Sequence, residues 1–257
     1  MPEIHKSLTG FEKFNTSLPF YVDNLFTEEE LIQLKNVIYT NKDMLRPIVQ
    51  RPREQTEEAH YFRFRPKHVQ HMSRAMVEFI MPKNLEAKLD ILAKPLHKDP
   101  IALCHYNYIE YNKKYSEGKK DPILPPHVDA DENLITVNYC MGGNVNWDLY
   151  IGNEEDGTKF TKYSLDPGQT LVFSAVNQVH WRPRRKFADG EFLEILSMDY
   201  CPVTNYRFTG ELNPLDGNLY PEVRRQQQLE LNETPQFKSA WSLYKELAIR
   251  DGLEVEN

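Results

Sequence analysis

Three residues carry the chemistry most open to reading: His127, Asp129 and His180. The first two lie in Leu124-Pro125-Pro126-His127-Val128-Asp129-Ala130-Asp131, separated by a single residue. On an extended backbone side chains alternate between faces, so both leave on the same side and form a two-point claw. A third donor stands well downstream in Gln178-Val179-His180, after several strand-like runs. Two imidazoles and a carboxylate on one side of a metal, with the opposite positions open, suit non-haem Fe(II). Asp131 continues the alternation of Asp129 and reads as a loop carboxylate, with an outer-sphere hydrogen-bond acceptor as the other reading.

Strands must present these donors. From Ile101 the apolar pattern has a period of two, and Ile101–Tyr111 reads as a long strand. Residues 112–122, rich in Lys, Gly and Asp, read as a surface loop. Leu134–Cys140, Trp147–Ile151, Thr170–Ser174 and Phe192–Met198 read as further strands, with a tight turn at Asp166-Pro167-Gly168. Short strands without intervening helices indicate antiparallel all-β packing.

Helices flank this core. After a short strand at Leu18–Val22, Thr27 and Glu30 form a capping box, Phe26 and Leu31 are placed as a hydrophobic staple, and Leu31, Leu34 and Ile38 continue an apolar stripe. Helical patterns are expected around Val69–Ile80 and Leu85–Leu96. Between them and the first helix, Arg46, Arg51, Arg53, Arg63, Arg65 and Lys67 concentrate positive charge, and Tyr61–Arg65 alternates like an edge strand. That stretch reads as a solvated loop and strand, or as a segment over a site mouth together with residues 112–122. At the other end, Thr234 as cap, Pro235 at the first helical position and Phe237, Trp241, Tyr244 and Ala248 on one face define a C-terminal helix. Its aromatic face packs on the core or forms a homodimer contact.

Composition narrows the function classes. The chain has 257 residues, a formal net charge of −7 and three cysteines. The acidic balance argues against a long nucleic-acid footprint. Unpaired, widely spaced cysteines point to a reducing, cytoplasmic setting. No apolar stretch approaches membrane-spanning length. One domain over residues 1–257 accounts for the length: N-terminal strand and helices at 18–100, a β core at 101–204, and C-terminal loops and helix at 205–257.

The His-x-Asp at a strand end, the distal His, the β runs between them and the lead-in Phe20-Tyr21-Val22-Asp23-Asn24-Leu25-Phe26-Thr27-Glu28-Glu29-Glu30 resemble the 2-oxoglutarate/Fe(II)-dependent dioxygenases of the prolyl-hydroxylase-like branch, over roughly residues 18–204. The resemblance implies a mainly β fold, a double-stranded β-helix (jelly-roll, cupin-like) barrel buttressed by N-terminal helices. It implies His127, Asp129 and His180 as metal ligands and catalytic centre, with Fe(II) as metal, 2-oxoglutarate as co-substrate and O2. It also implies decarboxylation to succinate coupled to hydroxylation of an unactivated C–H. Halogenating relatives lack the carboxylate ligand, so Asp129 favours hydroxylation.

The sequence departs from the family at one point. Relatives usually place a base for the distal carboxylate of 2-oxoglutarate about ten residues after the distal His, where this chain reads Ala188-Asp189-Gly190-Glu191-Phe192-Leu193-Glu194. The bases available instead are in Trp181-Arg182-Pro183-Arg184-Arg185-Lys186. If the strand continues, Arg182 and Arg184 share the face of His180, so Arg182 is the first candidate anchor and Arg184 the second. A substrate-binding role or a solvated rim stays open for them. Tyr111 matches a position where relatives often hydrogen-bond the co-substrate, against a core aromatic, and Asn138 is a further pocket residue. A small molecule or free amino acid is the expected substrate. A peptide substrate for a prolyl-type hydroxylase, a nucleic-acid demethylase and a non-catalytic cupin-like metal binder are the alternatives.

Overall fold

A computed structural model describes residues 18–40, 46–48, 74–77, 79–116, 124–129, 133–152, 158–204 and 233–252. The edge strand expected at Tyr61–Arg65, Asp131 and most of the two segments expected over the mouth lie outside the described residues.

Two antiparallel sheets face each other. The larger contains β1 (Phe20–Asp23), β2 (Arg46–Ile48), β3 (Arg74–Val77), β4 (Ile101–Asn112), β6 (Ile135–Gly143), β9 (Gln169–Phe173) and β11 (Phe192–Pro202). Their order is β1-β9-β6-β11-β4-β3-β2. The smaller is ordered β5-β10-β7-β8, from β5 (Leu124–His127), β7 (Leu149–Gly152), β8 (Phe160–Tyr163) and β10 (His180–Arg182). Strands β4 to β11 are thus dealt between the sheets, β4, β6, β9 and β11 to one and β5, β7, β8 and β10 to the other, in the manner of a jelly roll.

Period-two alternation gives each sheet two distinct faces. Between the sheets lie Ile109, Tyr111, Cys140, Leu171, Phe173, Leu193 and Ile195 from the larger, with Leu149 and Ile151 from the smaller. The outer face of the larger sheet, with Tyr108, Val137, Tyr139, Val172, Leu196 and Met198, shares a core with Leu34 and Ile38 of α1 (Glu28–Thr40) and Leu85 and Leu89 of α2 (Lys83–Ala93). The capping box forms: Thr27 N–H donates to Glu30 Oε2 at 2.7 Å, and Glu30 N–H donates to Thr27 Oγ1 at 3.3 Å. Pro95 lacks the amide hydrogen that an α-helical continuation requires, and α2 closes in a 3-10 turn at Lys94–Leu96. A single helical turn, α3 (Lys113–Ser116), follows β4.

The outer face of the smaller sheet is covered by α4 (Pro235–Arg250), whose Phe237, Ala240, Tyr244 and Leu247 bury Val179 and Trp181. The aromatic stripe of this helix therefore packs back on its own chain. In the expected turn, Gly168 has φ +90°, a conformation glycine adopts without a Cβ clash, and Gln169 N–H donates to Asp166 O at 2.9 Å.

The helix expected around Val69–Ile80 is corrected. Arg74–Val77 form β3, antiparallel to both β4 and β2, with Arg74 opposite Tyr111. The segment carries apolar residues at both helical and strand spacings. The exposed hydrogen-bonding edge of β4 supplies partners that only the extended form can use, so tertiary pairing decides. Among the described residues no helix is long and apolar enough to cross a membrane.

Candidate metal centre and adjoining pocket

His127 ends β5 and His180 begins β10, and the two stand opposite each other in the antiparallel register. Their rings lie 4.2 Å apart between centroids. Asp129 sits just past the end of β5, where its backbone N–H donates to Ala175 O at 2.9 Å. Asn133 Nδ2 donates to Asp129 Oδ2 at 3.3 Å, which leaves Oδ1 toward the imidazoles, 3.3 Å from His127 Nε2 and 3.8 Å from His180 Nε2. One donor atom from each of the three residues falls within a 4.8 Å set. Metal–ligand bonds of about 2.1 Å at right angles separate donors by about 3 Å, so small side-chain movements would close this set on one ion.

The turn before β10 presents His180 in the tautomer a metal needs. Gln178 is buried; its Oε1 accepts from Ser174 N–H at 2.9 Å, and its Nε2 donates to Gly152 O at 3.3 Å. The carbonyl of Gln178 lies 3.0 Å from His180 Nδ1. A carbonyl only accepts, so Nδ1 carries the proton and Nε2 keeps its lone pair for the centre. Burial, aided by His127, lowers the pKa of His180 to about 4 against the opposing pull of Asp129, so its ring is neutral at neutral pH. Burial alone would raise Asp129, but the hydrogen bond from His127 and the electrostatic interaction with the two imidazoles outweigh it. Asp129 therefore stays well below the usual carboxylate range. Neutral imidazoles and an ionised carboxylate are the forms that ligate metal.

Arg182 is two residues beyond His180 on β10 and only 4% exposed. One guanidinium N–H donates to Trp147 O, and the group lies 5.3 Å over the Trp147 ring. Trp147 is itself fixed by Nε1–H donating to Pro183 O at 2.7 Å and by edge contact with Tyr111, at 4.9 Å between centroids. Burial depresses the pKa of Arg182, while Tyr111, Cys140 and Asp148 favour its charge. No carboxylate of the described residues pairs with it; Asp148 is engaged by Lys162 at 3.1 Å. Burial raises the Cys140 thiol to about 11, so it offers no anion at neutral pH.

The other candidates separate clearly. Tyr111 lies beside Arg182 and Trp147 on the inner face. Asn138, on the same face between Leu171 and Ser197, has a buried Oδ1 with no hydrogen-bond partner. Strand β10 ends at Arg182, so the alternation does not extend to Arg184, which is half-buried with its Nε unpaired. Arg185 is held by Glu191 at 3.2 Å and by Asn146 O at 3.1 Å. Sequence reasoning placed Trp147 on a strand only and passed over Phe173, whose ring meets His180 at 5.1 Å, as well as Asp199 and His105.

No family model matches the sequence, and no curated protein matches it significantly. Solved structures match the fold. A prolyl hydroxylase from Trichoplax adhaerens, in complex with a hypoxia inducible factor oxygen degradation domain peptide fragment, aligns with a TM-score of 0.53 at 13% identity, over 80% of this chain and 93% of that one. The non-heme alpha ketoglutarate dependent epimerase SnoN from nogalamycin biosynthesis aligns with a TM-score of 0.52 at 11% identity, over 79% and 85%. The chain shares its fold, two facing antiparallel sheets with flanking helices, with these two solved structures.

Proposed function

We propose that the chain is a single-domain Fe(II)- and 2-oxoglutarate-dependent oxygenase that hydroxylates an unactivated C–H bond of a small molecule or free amino acid. The observation that carries this reading is Arg182: a buried guanidinium without a carboxylate partner among the described residues, on the same strand as His180. Residues two apart on a strand are about 6.6 Å apart along it, and the Arg side chain extends the reach. A dicarboxylate chelating a metal at the triad would stretch toward this cation, which gives it the bidentate partner that burial otherwise denies it.

His127, Asp129 and His180 would hold the iron, and the donor chemistry and spacing fit it. Iron bound there would activate O2, the oxidant, so that the keto acid goes to succinate and CO2 with one oxygen atom and a substrate C–H becomes C–OH with the other. The chain's own residues do the rest. Arg182 takes the distal carboxylate, Tyr111 and Trp147 wall that end of the pocket, and Asn138 offers Oδ1 along its floor. Phe173 packs against His180 and keeps water from that side of the centre. In a non-catalytic metal binder Arg182 would serve only as a clamp on Trp147, through the hydrogen bond to Trp147 O and its place over that ring.

Anaerobic titration of the apo-protein with Fe(II) and then 2-oxoglutarate tests this. The visible charge-transfer band of a chelated keto acid should appear in the wild type and vanish in His127→Ala. In Arg182→Met it should require much more 2-oxoglutarate. Iron bound without any band would defeat the co-substrate assignment.

A further inference from the structure

The inner face of the larger sheet is organised in cross-strand rows, and the rows differ in chemistry. Phe173, Thr136, Asp199 and His105 stand opposite one another on β9, β6, β11 and β4. Leu171, Asn138, Ser197 and Asn107 form the next row, and Cys140, Ile195 and Ile109 the one after. Phe173 meets the His180 ring, so the β9 end of the first row lies beneath the metal candidates, whereas Arg182 lies near Cys140 and Tyr111 two and three rows away. The co-substrate assigned above would occupy the space toward Arg182. That leaves the β4 end of the first row for something else.

This end is built, and it is polar. Asp199 is buried, its side chain 7% exposed. Thr136 Oγ1–H donates to Asp199 Oδ1 at 2.7 Å, and His105 Nδ1 lies 3.4 Å from Asp199 Oδ2. Asn107 Nδ2 stands 3.1 Å from His105 Nε2. The His105 side chain is 42% exposed, so the chain of contacts runs from a buried carboxylate to an open imidazole. Burial raises the pKa of Asp199, the contact with His105 opposes this, and the charge of Asp129 across from it adds to the rise, which brings the row within electrostatic reach of the metal candidates. The mechanism proposed above uses none of these groups.

We infer that His105, oriented by Asp199, is a substrate-binding residue, and that the pair selects a small polar molecule bringing a hydroxyl or ammonium group to the first row rather than an anionic one. The inference rests on the metal reading for its place beside the reacting position, and it deepens that reading by naming a substrate class. A carboxylate held in a low-dielectric wall attracts hydrogen-bond donors and cations and repels anions. Thr136 takes one oxygen of Asp199, and the other, shared with His105, faces the open end. Asp199 is the positioning residue and His105 the contact.

Two measurements with ethanolamine, which carries both groups, test it. In metal-free protein, the His105 ring proton resonance should shift saturably with ethanolamine and not with acetate. Asp199→Asn, which keeps the shape, should weaken that response at least about tenfold. In Mn(II)-loaded protein, ethanolamine protons should relax faster than with His127→Ala, in which the metal is lost. An unsaturable shift, an equal response to acetate, or an unchanged response in Asp199→Asn overturns the inference. So does a His105 response without relaxation enhancement when Mn(II) is bound, because the ligand would then sit away from the reacting position. Failure of the wild type to bind Mn(II) at all is a failure of the proposed function, and the first titration then decides the ligand preference of the pair by itself.

Discussion

The two sheets that enclose the pocket contribute unequally. The smaller carries the metal candidates His127 and His180 and the buried Arg182 on short strands, with a register irregularity between His180 and Arg182. The larger carries the buried Asp199 with His105 on its inner face, and its central strands β4 and β11 run 12 and 11 residues in near-continuous pairing. Long pairing makes the larger sheet a stiff floor on which polar and apolar rows keep fixed positions. Short strands let the smaller sheet turn donors inward, but such strands depend on what covers them. Here that cover is α4, through Trp181 and Tyr244 at 5.7 Å between ring centroids.

The largest effect should come from the donors themselves. His127→Ala or His180→Ala is expected to weaken Fe(II) binding by more than about 100-fold, since loss of even an outer-sphere partner costs 10–100-fold. Anaerobic calorimetry would read it, and near-wild-type affinity in either variant would remove the triad as the metal site. Next comes the cover. Trp181→Ala should cost about 3–5 kcal/mol in urea unfolding, and Leu196→Ala, in the outer core of the larger sheet, about 2–5 kcal/mol. The two should differ in metal affinity measured on the folded protein: Trp181→Ala lowers it, because Trp181 follows His180 directly, and Leu196→Ala does not. Equal losses would mean that the sheets do not divide the work as described.

Arg182 sharpens the contrast in another way. Removing one member of a buried ion pair is destabilising because it strands a charge, but Arg182 has no carboxylate partner among the described residues. Arg182→Met should therefore leave the apo-protein within about 1 kcal/mol of wild type or above it, while the thermal stabilisation conferred by 2-oxoglutarate disappears. A loss above about 2 kcal/mol in the apo-protein would instead identify Arg182 as a structural clamp on Trp147.

Which parts of this were legible in the sequence follows from the range of the signals. His127 and Asp129 are neighbours in the chain, and strand alternation puts them together without any knowledge of the fold. Arg182 is reached from His180 by the same step of two. The capping box at Thr27 and the aromatic face of α4 are equally local. By contrast, β3 has two competing local periods and is decided by the edge of β4, a partner distant in sequence. The four-residue β8 gave too short an alternation to stand out. His105, Asp199 and Thr136 become a unit only through the registers of β4, β11 and β6, and no pattern within any one strand announces them. At Arg184 the same step reaches its limit: β10 ends at Arg182, so alternation from His180 does not carry through Pro183.

The smallest effect compares the two covers at their helix starts. Thr27 and Glu30 exchange hydrogen bonds at the start of α1. At α4, Thr234 Oγ1 accepts from Phe237 N–H at 3.4 Å, and the residue at that third position is an apolar Phe, which cannot reach back to the cap as Glu30 does. Thr27→Ala and Thr234→Ala should each cost about 1 kcal/mol, the former somewhat more because a reciprocal pair is lost. Their consequences for the centre should be reversed. Fraying α4 loosens Phe237 and Tyr244 from Trp181, so Thr234→Ala should lower Fe(II) affinity a few-fold. Fraying α1 loosens only the outer face of the larger sheet, so Thr27→Ala should leave the affinity unchanged. If Thr27→Ala proved the more harmful to metal binding, the stiffness of the larger sheet, and not the cover of the smaller one, would be what holds the donors in place.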